Sequence, residues 1–160
     1  MIVRRARPDD VAAILRLIVA LAAYEREPDA VKATEATLTQ TLFAADARVW
    51  AHIAEHDGVV VGIAVWFLNY STWTGKPGIY LEDLFVEDAA RGLGVGKALF
   101  KALGEEADRL GCARIDWAVL DWNEPAMAFY RRIGGRPSVG WQPWRLDGAA
   151  YERLTRRPAR

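Results

Sequence analysis

Val11, Ile14, Leu15, Ile18 and Leu21 recur three and four positions apart, which lays an apolar stripe along one side of a helix ending near Tyr24-Glu25. Asp9 and Asp10 just ahead of the stripe are candidates for its N-cap, and "IVRRA" before them reads as a short first strand. Pro28 interrupts the pattern, and a second helix is expected over Glu35 to Phe43. The period then changes. "RVWAHIAEHDGVVVGIAVWFLNY" predicts two strands joined at His56-Asp57-Gly58, which supplies the positive backbone dihedrals of a tight hairpin. His56 is therefore a turn residue, and His52, with no partner at motif spacing, receives no role.

After a loop at "STWTGKPG", "IYLEDLFVED" is a strand, the glycine-rich "EDAARGLGVGKALFKAL" opens a helix running to Leu110, and "ARIDWAVLDW" is another strand. Asn123 caps a helix with Pro125 in its first turn, which continues through Met127, Phe129 and Tyr130 to the stop signal Gly134-Gly135. The tail "GWQPWRLDGAAYERL" is expected to add one or two closing strands. Helices thus alternate with strands of one mixed sheet, an α+β arrangement in which Trp50, Trp66 and Trp117 serve as strand packing.

A chain of 160 residues with 52% hydrophobic content can bury a full core, so one domain over residues 1–160 is expected. Twenty-one basic residues balance twenty-one acidic ones. No overall field favours nucleic acid or an anionic membrane surface, and a charged ligand must be met locally. "MIVRRARPDD" lacks the apolar core of a signal peptide, no run approaches membrane-spanning length, and Cys112 is the lone cysteine. These features predict a cytoplasmic protein with no membrane partner and no metal site, and Cys112, between a helix-ending glycine and a strand, reads as inert packing.

The glycines carry the first chemical signal. A glycine-rich turn between a strand and a helix presents backbone N–H groups at the positive end of the helix dipole, a setting for an anion such as a pyrophosphate. The dinucleotide fingerprint would need glycine where Lys97 stands, and a Walker loop would need glycine at Arg91 and a hydroxyl at Ala98, so both fail. What fits is Arg-x-x-Gly-x-Gly, at Arg91, Gly94 and Gly96, after an apolar strand and before an amphipathic helix.

This pattern resembles the acetyl-CoA signature of the GNAT superfamily of N-acetyltransferases. Beyond the loop, "ILRLIVALAAYE", "YLEDLFV" and "DWNEPAMAFYRRIGG" are similar to the corresponding segments of the diamine (spermidine/spermine) and thialysine acetyltransferases, and together these pieces span most of the chain in order. The resemblance implies the GNAT fold, a mostly antiparallel mixed sheet with splayed strands. It implies acetyl-CoA as co-substrate, held by Arg91, Gly92, Gly94, Val95, Gly96 and Lys97, with Leu84, Phe85 and Val86 along the pantetheine arm and Asn123 in contact with coenzyme A. It further implies Tyr24, Glu25, Trp73, Asp83 and Trp144 around the amine, Glu82 as amine binder and general base, Tyr130 as general acid, and a homodimer. Ser71 stands where the polyamine enzymes carry an acidic residue, and the wording of "NYSTWTG" and "AVLDWN" is nearer the thialysine branch.

The chemistry asks for such residues. An alkylammonium of pKa ~10.4 is only ~0.04% neutral at pH 7, and only the neutral amine attacks a thioester. Glu82 and Asp83 are strand neighbours, so their side chains point to opposite faces unless a bulge intervenes. Tyr130 lies two helical turns beyond Asn123 on nearly the same face. Two other readings compete with a small-amine acetyltransferase. A protein lysine or N-terminal acetyltransferase is disfavoured by Glu25, Glu82 and Asp83, which suit a small free cation. A non-catalytic coenzyme A-binding module would not need Glu82 and Tyr130.

Overall fold

A computed structural model describes residues 1–155, which fall into two compact units, Met1–Asp121 and the segment from Trp122 onward. The first holds a five-stranded sheet in the order β1 (Ile2–Arg5), β2 (Val49–His56), β3 (Val59–Ser71), β4 (Lys76–Val86), β5 (Ile115–Trp117). The first four strands are antiparallel to their neighbours and β5 runs parallel to β4, the mixed and mostly antiparallel sheet expected from the sequence. Asp57 (φ 51°) and Gly58 (φ 79°) make the tight β2–β3 turn.

Helices cover both faces. Ile14 and Leu17 of α1 (Val11–Tyr24) and Leu42 of α2 (Glu35–Phe43) pack on Ala51, Ile53, Ile63, Val65 and Phe85. On the other face, Val95, Leu99, Leu103 and Ala107 of α3 (Val95–Arg109) pack on Ala54, Ala64, Trp66, Ile79 and Leu81. Residues Val61 to Trp66 are all buried, so the middle of β3 reads as a continuous apolar run rather than an alternation. The apolar stripe of α1 centres on Ile14 and Leu17, with Leu15 only half-buried.

Several local expectations change. Asp10 does not cap α1 with its side chain: its backbone is already helical (φ −86°, ψ −8°), whereas an N-cap residue is extended. Its carboxylate instead accepts from the Arg7 backbone at 2.7 Å and from the Arg4 guanidinium at 2.7 and 2.9 Å, which ties β1 to the 3-10 turn over Pro8–Asp10 and holds the carboxyl below its usual range. The loop expected at "STWTGKPG" shrinks to a turn, because β3 runs to Ser71 and β4 begins at Lys76. The strand expected over "ARIDWAVLDW" is the three-residue β5.

In the second unit, Asn123 Oδ1 accepts from the Ala126 backbone at 3.2 Å and caps α4 (Glu124–Arg132). The closing strands expected in the tail are absent among the described residues. Pro137 and Pro143 lack the N–H that a strand ladder needs, Gly140 turns the chain at φ 85°, and a helix, α5 (Gly148–Thr155), follows.

Candidate active site

β4 carries one residue more than β3 can match. Val65 pairs with Asp83 but Trp66 pairs with Leu81, so Glu82 has no opposite number and forms a bulge. The bulge resets the alternation. Ile79 and Leu81 face α3, and an unbroken strand would send Asp83 into the same core. Instead Asp83 lies opposite Val65 and joins Phe85 on the α1 face, where Glu25 follows the end of α1. Burial, then Glu82, then Glu25 push the Asp83 carboxyl up to about 6. Glu25 is also pushed up by burial, while Glu82 is exposed. Tyr80 is raised by burial and by Glu82 and Asp116. The bulge is the exception under which the sequence-based expectation of two neighbouring carboxylates on opposite faces does not apply.

Beside these carboxylates the sheet opens. β5 pairs with Ile79–Leu81 only, so Leu84, Phe85 and Val86 are matched to β3 on one edge and lie beyond the β5 pairing on the other. The sheet is thus open on one side at the three residues that the resemblance assigns to a pantetheine arm.

The chain leaves β4 through a 3-10 turn at Asp88–Ala90, pinned by the buried Ala90, and enters the glycine loop. Gly92 and Gly94 both have φ 81°, and a Cβ at either would meet nothing within 4 Å. Glycine is demanded here by backbone conformation, with open space beside it, rather than by crowding from the protein. Gly94 offers no side chain to cap α3, so the first amides of the helix, at Val95, Gly96 and Lys97, are presented without a side-chain acceptor. With Arg91 and Lys97 adding positive charge, the residues present fit a pyrophosphate-bearing ligand.

On α4, Asn123 is buried at the cap and Tyr130 lies two turns along, its ring centre 5.5 Å from that of Phe129. Trp144 is exposed and lines a shallow cavity of about 520 Å³ with Gly140, Trp141 and Gln142. Trp73 sits in the β3–β4 turn, 88% exposed. Glu82 lies six positions along β4 from Lys76, roughly 20 Å at about 3.3 Å per residue, so Trp73 is not brought to the carboxylates of its own chain. The first unit therefore gathers Glu25, Glu82, Asp83, the open β4 edge and the loop. Sequence reasoning missed the bulge and a contact between Arg91 and Tyr24, residues too far apart in the chain for any spacing rule to join.

Comparison with known proteins identifies the family. The acetyltransferase (GNAT) family matches residues 12–135. Thialysine N-epsilon-acetyltransferase of Sus scrofa is 35% identical over 165 residues, covering 96% of both chains. Spermidine/spermine N(1)-acetyltransferase-like protein 1 of Homo sapiens is 33% identical over 90% of this chain and 22% of its own length. Among solved structures, an integron cassette protein from the mobile metagenome of V. cholerae superposes with a TM-score of 0.80 at 26% identity, covering 96% of each chain. The chain belongs to the acetyltransferase (GNAT) family. It is an N-acetyltransferase enzyme.

Proposed function

We propose that the protein transfers the acetyl group of acetyl-CoA to the primary amine of a small cation, either a thialysine-like amino acid or a diamine. The observation that carries the reading is the bulge at Glu82, which turns Asp83 to the side of Glu25, beside the exposed Glu82 and next to the open edge of β4. A cationic amine fits three acidic groups, and the relatives include one named as a thialysine acetyltransferase and one as a spermidine/spermine acetyltransferase-like protein.

In the reaction, Glu82 takes a proton from the ammonium, directly or through water, and the neutral nitrogen attacks the thioester carbon. Backbone N–H groups near Phe85 polarise the carbonyl as its oxygen gains charge. The C–S bond breaks, the nitrogen gives up its second proton to solvent, and Tyr130 protonates the departing thiolate. Asp83 contributes charge beside the ammonium, with Trp144 and the Trp73 of a second copy as aromatic partners for it. Arg91, Gly92, Gly94, Val95, Gly96 and Lys97 hold the pyrophosphate, and Asn123 borders the coenzyme.

The 160 residues act as one N-acetyltransferase domain in a cytoplasmic homodimer. Exposed Trp73, Trp141, Trp144 and Leu154 support association with a second copy, and no described helix is long and apolar enough to cross a membrane. The test is a panel of small amines with acetyl-CoA, read by release of free thiol. Turnover of thialysine or diamines well above that of lysine-containing peptides is expected. Preference for peptides would replace this reading with a protein acetyltransferase, and absence of thiol release with every amine would overturn it.

A further inference from the structure

The guanidinium of Arg91, the first residue of the glycine signature, lies 4.9 Å from the centre of the Tyr24 ring and 5.9 Å from that of Phe85. Its Nε donates to the Val86 carbonyl at 3.2 Å, and Nη2 is 2.9 Å from Asp88 Oδ1. Contacts from α1, β4 and the following turn thus converge on one side chain that is still 43% exposed. We propose that Tyr24 is a positioning residue for the co-substrate, its ring serving as the platform that holds the Arg91 guanidinium at the entrance to the glycine loop. This rests on the reading of that loop as the acetyl-CoA anchor.

The resemblance places Tyr24 beside the amine, but the geometry gives a face of its ring to Arg91. An aromatic face covered by one cation does not accept a second from the same side. Tyr24 is suited to be a platform: it is the last residue of α1 and packs against the cluster formed by Ile14, Leu17 and Phe85. An exposed arginine has many rotamers, and part of that freedom is lost before the ligand arrives when the guanidinium lies over a ring and two nitrogens are engaged. Nη1 keeps two N–H donors for an anion. Glu25 follows Tyr24 directly, so the same helix end connects the cofactor loop with the acidic face.

The experiment is calorimetric titration of the full chain with acetyl-CoA and no amine, a readout independent of turnover. Tyr24→Leu is expected to raise Kd by ~3-fold to 5-fold, as loss of an exposed cation–π contact implies, with Tyr24→Phe keeping the wild-type affinity. Added to Arg91→Ala, Tyr24→Leu should weaken binding no further. Equal weakening in both backgrounds would overturn the proposal, as would unchanged Kd in Tyr24→Leu with a raised KM for the amine, which returns Tyr24 to the amine site. Arg91→Ala that weakens binding while Tyr24→Leu does not sinks this proposal alone, whereas Arg91→Ala without effect removes the loop assignment as well. Should Tyr24→Leu lose helical content, Arg91→Lys asks the same question from an exposed position. It keeps the charge without the stacking plane, and is expected to raise Kd by ~3-fold; wild-type affinity there overturns the proposal.

Discussion

The indole of Trp66 donates to Nδ1 of His52 at 3.1 Å, with both side chains sealed inside the sheet. His52 must be unprotonated at Nδ1 to accept that bond. Burial, reinforced by Arg5 and opposed by Glu106 and Glu105, lowers it from 6.5 to about 4. A histidine whose folded value is depressed contributes stability that is complete above 6.5 and lost as pH falls towards 4, worth ~3 kcal/mol at most. Asp83 acts with the opposite sign. Its carboxyl rises from 3.8 to about 6, so its burden is present above 6 and relieved as pH falls through the same window.

The two shifts are comparable, so their effects on wild type largely offset between pH 7 and 5, and single variants should separate them. Urea unfolding of His52→Phe is expected to show stability rising on acidification relative to wild type, and Asp83→Asn to show it falling. At pH 7, His52→Phe should also lose ~1–3 kcal/mol because the Trp66 N–H is left buried without an acceptor. Variants with the wild-type pH slope would show that neither group titrates where the fold places it.

Two glycines should separate backbone conformation from packing. A Cβ on Gly62 would stand 2.9 Å from Val95 Cγ1 and 3.3 Å from the Phe85 carbonyl oxygen, where β3 meets α3. Gly62→Ala is expected to cost ~1–3 kcal/mol by overpacking, measured by denaturant unfolding. Gly94 has open space but φ 81°, so Gly94→Val should leave the core packed and strain only the loop, by ~1–2 kcal/mol. Its expected signature is loss of acetyl-CoA binding in calorimetry with the unfolding transition retained. Intact binding would remove the loop from the cofactor site.

Much of this was legible because local chemistry and global fold agree. Thr34 caps α2 through Thr37, and the helix ends where the sequence places its boundary. Asp57-Gly58 is a turn wherever it sits between two apolar runs, and Arg91 to Lys97 reads as an anion loop because its glycines precede a helix, two of them, Gly92 and Gly94, taking positive φ. The bulge at Glu82 was not legible: it depends on the register between β3 and β4, and the apolar pattern around Glu82 fits an unbroken strand equally well. Nor was the role of His52, which needs a partner fourteen residues away across the β2–β3 pair. The tail was misread because Trp141, Trp144 and Leu146 look like strand residues, whereas the prolines and glycines among them decide its conformation.

Tyr130 offers a direct test of the proton given to the leaving thiolate. Tyr130→Phe keeps the ring beside Phe129 and removes only the hydroxyl, so the fold should be unaffected. A fall in kcat of ~10²-fold or more, with acetyl-CoA affinity preserved, is expected of a general acid. Unchanged kcat would exclude it from the chemistry, and a large loss of affinity would make it a binding residue.

Ser71 tests whether a second copy completes the site. Its Oγ accepts from the Thr74 backbone at 3.3 Å, a task an aspartate also performs, so Ser71→Asp should preserve the turn. Ser71 pairs with Lys76, roughly 20 Å along β4 from Glu82, whereas spermidine spans only about 11 Å for bonds near 1.5 Å. A carboxylate at position 71 therefore does not reach a polyamine held at Glu82 of the same chain. In a homodimer that shares its sites, the turn carrying Trp73 and position 71 belongs to the other copy's amine, and the new charge meets the distal ammonium there. A partly exposed pair worth on the order of 1 kcal/mol should then raise kcat/KM for spermidine relative to thialysine by ~5-fold, less at high salt. The gain should vanish when the enzyme is diluted until sedimentation shows monomer. A ratio that never moves would take Ser71 and Trp73 out of the substrate site, and a gain that survives dilution would show that the strand bends to bring position 71 to its own carboxylates.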